Sequence, residues 1–443
     1  MTIAVYPKYE SYKDGASERL DFPTPSHWQN DKARFLFRFN KGLTITKENL
    51  QDEGIPCVNY GEIHARFGFE VDPARDALKC VSPDYLKANA GSLLHRGDFV
   101  FADTSEDIEG SGNFTHLASD EPTFAGYHTL IARPNNRAET RYLAYMLNSS
   151  SFRKQVQRAV KGVKVFSISQ GLLKNLEILL PPLPEQRAIA AFLDGKCATI
   201  DEAVRIKEEQ IKLLAERRQI LIQEAVTSGL NPNAPMKDSG IDWIGQIPAH
   251  WEVKRGKHLF REVNERSEDG TEELLSVSHT TGVTARSEKN VNMFLAEDYT
   301  GSKLCQPGDI VINTMWAWMG ALGVSDLTGI ISPSYGVYRA LEDGSFNHRF
   351  LEWLLRTTPF IEQYNKISTG LHSSRLRLYP HMFLGLFMAL PDRVEQDAIV
   401  EQVEREAGKI DKAISLKESQ ITALREYKTS LINAAVTGKI KVL

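Results

Sequence analysis

Four cysteines in 443 residues are few, and Cys57, Cys80, Cys197 and Cys305 stand far apart with no CxxC pair among them. That spacing suggests neither a zinc site nor a disulfide framework, and it suits a reducing cytoplasm, where the chain is expected to act. Long apolar runs are also missing. None approaches the ~18 residues needed to span a bilayer, so no membrane association is expected. The stretch "MTIAVYPKYESYKDG" lacks a basic segment followed by an apolar one, so no signal peptide is expected. There is no DPPY or NPPF loop of the methyltransferase type, no GxxxxGK[ST] and no HExxH, so no catalytic residue, cofactor or metal is assigned to this chain.

An excess of one charge is lacking too. The net charge of -4 argues against a protein that coats nucleic acid. Yet residues 133–177 hold nine Lys/Arg against Glu139 and Glu177, and residues 349–381 hold five against Glu352 and Glu362. Local basic faces on a near-neutral body suit a protein that reads a site, because excess charge raises only sequence-independent affinity.

What the sequence does have is a repeat. Residues 180–230 align without a gap on 390–440, and 20 of the 51 pairs are identical, too many for chance. The duplication extends upstream: Pro25, His27, Trp28 and Arg38 recur as Pro248, His250, Trp251 and Arg261, and Gly97-Asp98 recurs as Gly308-Asp309. Between those two blocks the first copy carries 12 additional residues. "SLLHRGDFVFAD", "KLCQPGDIVINT" and "NLEILLPPL" read as short strands, whereas "RYLAYMLNSSSFRKQVQRAV" and "RFLEWLLRTTPFIEQYNK" show helical spacing. Each globular part is therefore mixed α and β.

The repeated segment itself reads as a helix of more than 40 residues. Ile200, Lys207, Leu214 and Leu221 fall seven apart, as do Val204, Ile211, Arg218 and Ala225. The second copy matches with Ile410, Lys417, Leu424 and Leu431, and with Ile414, Ile421, Lys428 and Ala435. The expected architecture is α/β (α+β) domains in tandem, separated by two long antiparallel coiled-coil helices in a pseudo-twofold repeat. The divisions are 1–182 (first domain), 183–230 (first spacer helix), 231–390 (linker and second domain) and 391–443 (second spacer helix).

"LPPLPEQRAIAAFLD" entering a long helix, the "EAVTSG" and "AAVTGK" helix ends, "DSGIDWIGQIPAHWEVKRGKHLF" and "INTMWAWMGALGVSD" together resemble the specificity subunits of type I restriction-modification systems, over essentially the whole chain. The first domain departs from that pattern, lacking the DSGIxWIG lead-in and the MWAWxGALG block. The resemblance implies two target-recognition domains, each reading half of a bipartite site in double-stranded DNA. It also implies that the central helices bind two methyltransferase subunits, that restriction subunits join the assembly, and that S-adenosylmethionine, ATP and Mg2+ belong to those partners.

The candidate DNA-binding residues lie on two basic loops at corresponding places. "VKGVKVFSISQGLL" offers Lys161, Lys164, Ser167, Ser169 and Gln170, and "STGLHSSRLRLY" offers His372, Ser373, Ser374, Arg375 and Arg377. Lys and Ser suit phosphate oxygens, while Arg and Gln can read guanine and adenine edges. Arg158 and its repeat equivalent Lys366 are assigned to backbone phosphates. His27-Trp28 and His250-Trp251 are expected to pack, and Trp316 and Trp318 to lie in the core, with stacking on bases as the other reading. Two other readings are a coiled-coil scaffold linking protein-binding domains, and a metal-dependent nuclease using Asp242, Glu252 and Lys254. The first copy has Gln29 and Asp31 where Glu252 and Lys254 stand, which disfavours the nuclease.

Overall fold

The structure, a computed structural model, describes residues 6–14, 20, 22–135, 138–162, 164–289, 298–370 and 376–442. They fall into two compact units: Met1–Lys207 with Ser419–Leu443, and Glu208–Glu418. Each unit thus joins one globular part to portions of both long helices, Leu183–Ser228 and Arg393–Val436.

The first unit is built on a five-stranded sheet in the order Phe37–Lys41, Thr129–Pro134, Phe99–Ala102, Phe114–Leu117, Glu70–Val71. The second has the same order without the last strand: Phe260–Glu262, Gly336–Ala340, Ile310–Ile312, Leu322–Val324. The extra edge strand, parallel to its neighbour, lies between the His-Trp and Gly-Asp blocks, where the first copy is longer. All three segments read as strands contain strands. The two segments with helical spacing each form a pair of helices. Ser149 accepts the Phe152 N–H and starts a new helix, and Pro359 stands at the start of the other.

The Gly-Asp pairs sit at one bend in both units. Gly97 and Gly308 take φ of 89° and 90°, a left-handed conformation that disfavours a side chain. The carboxylates that follow are buried. Asp98 accepts from Arg133 Nε and Nη2 at 3.0 and 2.8 Å, and Asp309 from Arg339 Nε and Nη2 at 2.7 and 2.8 Å. Each arginine lies on the strand next to the bend, so the pair ties turn to sheet.

The long helices start on a second recurring device. Trp28 and Trp251, both buried, donate their indole N–H to Glu185 and Glu395 at 3.2 Å, and His27 and His250 reach the same carboxylates at 2.9 and 2.7 Å. The next residues, Gln186 and Gln396, accept the backbone N–H of Glu139 and Asn347, both at 2.9 Å. The packing role expected of the His-Trp pairs is therefore observed for the tryptophans alone, while the exposed histidines bind the carboxylates from outside.

Within each unit the helix portions pair antiparallel, since partner numbers fall as helix numbers rise. In the first unit Asp201 meets Lys428 at 2.7 Å and Lys207 meets Gln420 at 2.6 Å. In the second, Gln210 meets Lys417 at 2.6 Å and Arg218 meets Asp411 at 3.1 Å. The four basic seam residues thus each find a partner on the facing helix, in two pairs equivalent through the repeat. Every heptad position named above is buried or half-buried, while most residues between them are exposed. Exposed pairs of this kind add little stability, but a slipped register would break all of them.

Replacing Asp309 with Ala is expected to cost about 1.5–3 kcal/mol, because Arg339 is left with Glu265 alone and the Gln306 N–H loses its acceptor; urea unfolding of the full chain measures it. Gly195 lies mid-helix with open space where a side chain would go, so Gly195→Ala is expected to stabilise by up to about 1 kcal/mol. Gly438→Ala is expected to destabilise by more than that, since its Cβ would meet Pro25 Cδ at 2.3 Å and its φ is +72°.

Candidate nucleic-acid interface

The basic clusters shrink once their ion pairs are subtracted. Arg133 is bound to Asp98, and Arg141 to Asp194 and Glu70. Arg153 donates to Asn113 at 2.6 Å, and burial lowers its pKa. In the second unit Arg349 faces Glu404 and Arg356 binds Glu352 at 2.8 Å. Charge runs in sequence therefore overstate the charge offered to a ligand.

What remains exposed gathers around two equivalent loops. In the first unit the helix Ser150–Ala159 brings Arg158 to its last turn. The chain then closes a loop through a β-bridge from Lys161 to Ser167. Gly162 is required there, because a Cβ would meet the Val165 carbonyl at 2.1 Å. Phe166–Ser167 pairs with Thr104–Ser105, and buried Ile168 donates its N–H to Asp103 at 2.7 Å, pinning the loop to the body. Arg158, Lys161, Lys164, Ser167 and Ser169 are exposed, and Gln170 is half-buried. Ser169 also caps the short helix Gln170–Lys174 by accepting the Leu172 N–H at 3.1 Å. Lys161, Ser167, Ser169 and Asn175 line a cleft of 370 Å³.

The second unit repeats this path. The helix Thr358–Ile367 ends with exposed Lys366, a bridge joins Thr369 to Arg377, and buried Leu378 donates its N–H to Thr314 at 3.1 Å. Arg377 is half-buried at the foot of the loop. His372, Ser373, Ser374 and Arg375 lie outside the described residues. The structure thus gathers the described candidates of each unit on a bridge-closed loop and the helix ends that flank it.

The nuclease reading gains no geometry. Glu252 and Lys254 form an exposed ion pair at 2.6 Å, and Lys254 lowers the Glu252 pKa. Among the described residues no group of three or more His, Cys, Asp or Glu could hold a metal ion, and no helix is long and apolar enough to cross a membrane.

The expectation that Trp316 and Trp318 lie in the core is corrected. Trp316 is 46% exposed and Trp318 half-buried, their rings stacked 5.9 Å apart. The reason lies in the small residues between the large ones: Ala317 and Ala321 fill the interior and leave the indoles outside. Alternation of Trp with Ala and Gly was the available signal.

Comparison with known proteins agrees with this organisation. Residues 25–214 match the family described as the type I restriction modification DNA specificity domain. The MjaVIII type I restriction enzyme specificity subunit of Methanocaldococcus jannaschii is 25% identical over 70% of this chain and 73% of its own length. The putative MjaX specificity subunit of the same organism is 26% identical over 94% and 95%. Among solved structures, a chain from work on complex assembly and conformational transition of the type I R-M system superposes with a TM-score of 0.66. It has 16% identity and covers 94% of this chain and 99% of that one. The HsdS subunit from Thermoanaerobacter tengcongensis gives a TM-score of 0.52 at 15% identity, covering 96% and 100%. Taken with the duplicated units and paired long helices, these matches make the chain similar over most of its length to the specificity subunits of type I restriction-modification systems.

Proposed function

We propose that the chain selects the DNA sequence on which a type I restriction-modification complex acts, each unit reading one half of a bipartite site. The observation that carries this is the repetition, in two units of the same fold, of one bridge-closed loop pinned by the same backbone hydrogen bond and preceded by an exposed base, Arg158 or Lys366, at a helix end. A scaffold for protein-binding domains has no need of that repetition. Arg158, Lys161, Lys164 and Lys366 are suited to phosphates. Ser167 and Ser169 suit phosphates as well, Gln170 and Arg377 have the side chains to read adenine and guanine edges, and His372, Ser373, Ser374 and Arg375 remain candidates from the sequence.

The chain performs no chemistry in this reading. Two methyltransferase subunits dock on the long helices, restriction subunits join through them, and the whole works in the cytoplasm. S-adenosylmethionine, ATP and Mg2+ are bound by those partners. The exposed Ile206 on the first long helix and its repeat equivalent Leu416 on the second give each unit apolar surface for such docking.

Purified chain is expected neither to methylate nor to cleave DNA, and methylation is expected on adding the methyltransferase subunit; turnover by the chain alone would refute the division of labour. Lys161→Ala with Lys164→Ala is expected to weaken DNA binding for all sequences and to reduce the salt slope by about one per lysine. Arg377→Ala is expected to cost about 1–3 kcal/mol and to relax only one half of the methylated motif. Binding titrations against salt, with methylation maps of cells carrying each variant, check both.

A further inference from the structure

The turn Asn313–Gly320 holds two indoles at the surface of the second unit, and nothing in the fold requires them there. Its interior is filled by Ala317 and Ala321. Buried Asn313 fixes its start, accepting the Met315 N–H at 3.2 Å and donating to Tyr335 Oη at 3.0 Å. Gly320, at φ +82°, closes it against Ile361, which a Cβ would approach to 2.9 Å. Trp318 donates its indole N–H to the Met315 carbonyl at 3.0 Å, and Trp316 stacks on it at 25° between ring planes. Met319 beside them is also exposed. The scaffold is rigid and the display is apolar, so surface that could have been buried is left in water.

The position of this turn identifies its ligand. Thr314 takes the hydrogen bond from Leu378, the residue after Arg377, and Ile361 belongs to the helix that carries Lys366. The indoles therefore border the cationic loop. The first unit holds its corresponding turn in the same way. Asp103 takes the bond from Ile168, and Gly112 sits at φ +89° where a Cβ would meet Val156 at 3.2 Å. Its exposed residues, however, are Glu106, Asp107, Ile108 and Glu109, three carboxylates and one aliphatic, with no aromatic among them. A surface for two copies of one partner subunit would be repeated in both units. One that differs completely on the same scaffold suits discrimination between two DNA half-sites.

We propose that Trp316 is a base-contacting residue, its indole packed against a base at a partly unstacked step of the half-site read by the second unit, with Trp318 and Met319 as support. Base-aromatic stacking supplies contact area, and insertion at a deformable step adds selectivity without a hydrogen bond. The inference rests on the reading of the chain as the DNA-specificity subunit.

The test uses the full chain assembled with its methyltransferase subunit. The methylated motif is mapped first, and duplexes are then made with 2-aminopurine at each position of either half-site. Wild-type complex is expected to raise 2-aminopurine fluorescence at one step of one half-site. W316A is expected to abolish that signal, lower affinity about tenfold and relax that half of the motif alone, with W316F retaining most of the affinity. Trp316 is at the surface, so W316A should melt with wild-type; a melting shift would be separated from a contact by the W316F rescue. Wild-type binding with W316A unchanged in signal, affinity and motif would overturn the inference and leave the specificity reading intact. So would loss of methyltransferase association by W316A in the absence of DNA. Failure of the wild-type complex to bind any mapped motif would overturn both.

Discussion

Everything in each unit converges on one glutamate. Glu185 and Glu395 open the long helices, where a negative charge favours the helix N-terminus, and each is held by an indole N–H and an imidazole from the first strands of its own domain. The adjacent glutamine binds the backbone just ahead of the next domain helix. The helix that returns ends at the same place. Gly229 packs near Trp251 and Glu395 in one unit, and Gly438 against Pro25 and Trp28 in the other. Sheet, outgoing helix and returning helix are thus locked at a single polar point, and the "VTSG" and "VTGK" ends supply the glycines that take φ of +75° and +72° there, Pro25 also closing off space for a side chain at Gly438.

Much of this was legible in the sequence because duplication makes structure visible without homologues. The heptad seam followed from apolar spacing alone, and the buried or half-buried state of Ile200, Val204, Leu424 and Ala435 agrees with it. The paired loops were legible from their shared place before the terminal strand. The partners of the seam bases were not, because Lys207 to Gln420 and Arg218 to Asp411 depend on register, which a heptad pattern leaves open. Nor was the consumption of Arg133, Arg141 and Arg339 by distant carboxylates, since ion pairs across a sheet have no spacing in sequence. Trp316 was misplaced because hydrophobicity was read without the volumes of its neighbours, and the alanines had already filled the interior.

The two units also show what a duplicated fold keeps and what it releases. Both keep the Gly-Asp bend, the arginine that binds it and the hydrogen bond pinning the loop. They diverge at the turn beside that loop, with carboxylates in one and indoles in the other. Backbone positions that need glycine, or that bury a charge, tolerate no alternative, whereas a solvated turn between fixed ends can exchange its side chains at small cost.

The division of the long helices has a consequence for synthesis. The first unit includes Ser419–Leu443, and Lys441 donates its backbone N–H to Pro7 at 2.7 Å. When the ribosome has made Lys207, the strands of that unit exist but its helical half-seam has no partner. The second unit has all its residues once Glu418 emerges, so it can close before the one translated first. For most of its time as a nascent chain, the N-terminal half carries an open apolar stripe and an unfilled site at Pro25 and Trp28. Domains usually mature in the order they are translated. Here residues 419–443 complete the first unit, and a ribosome that stalls short of them releases a chain whose second unit is finished and whose first is not.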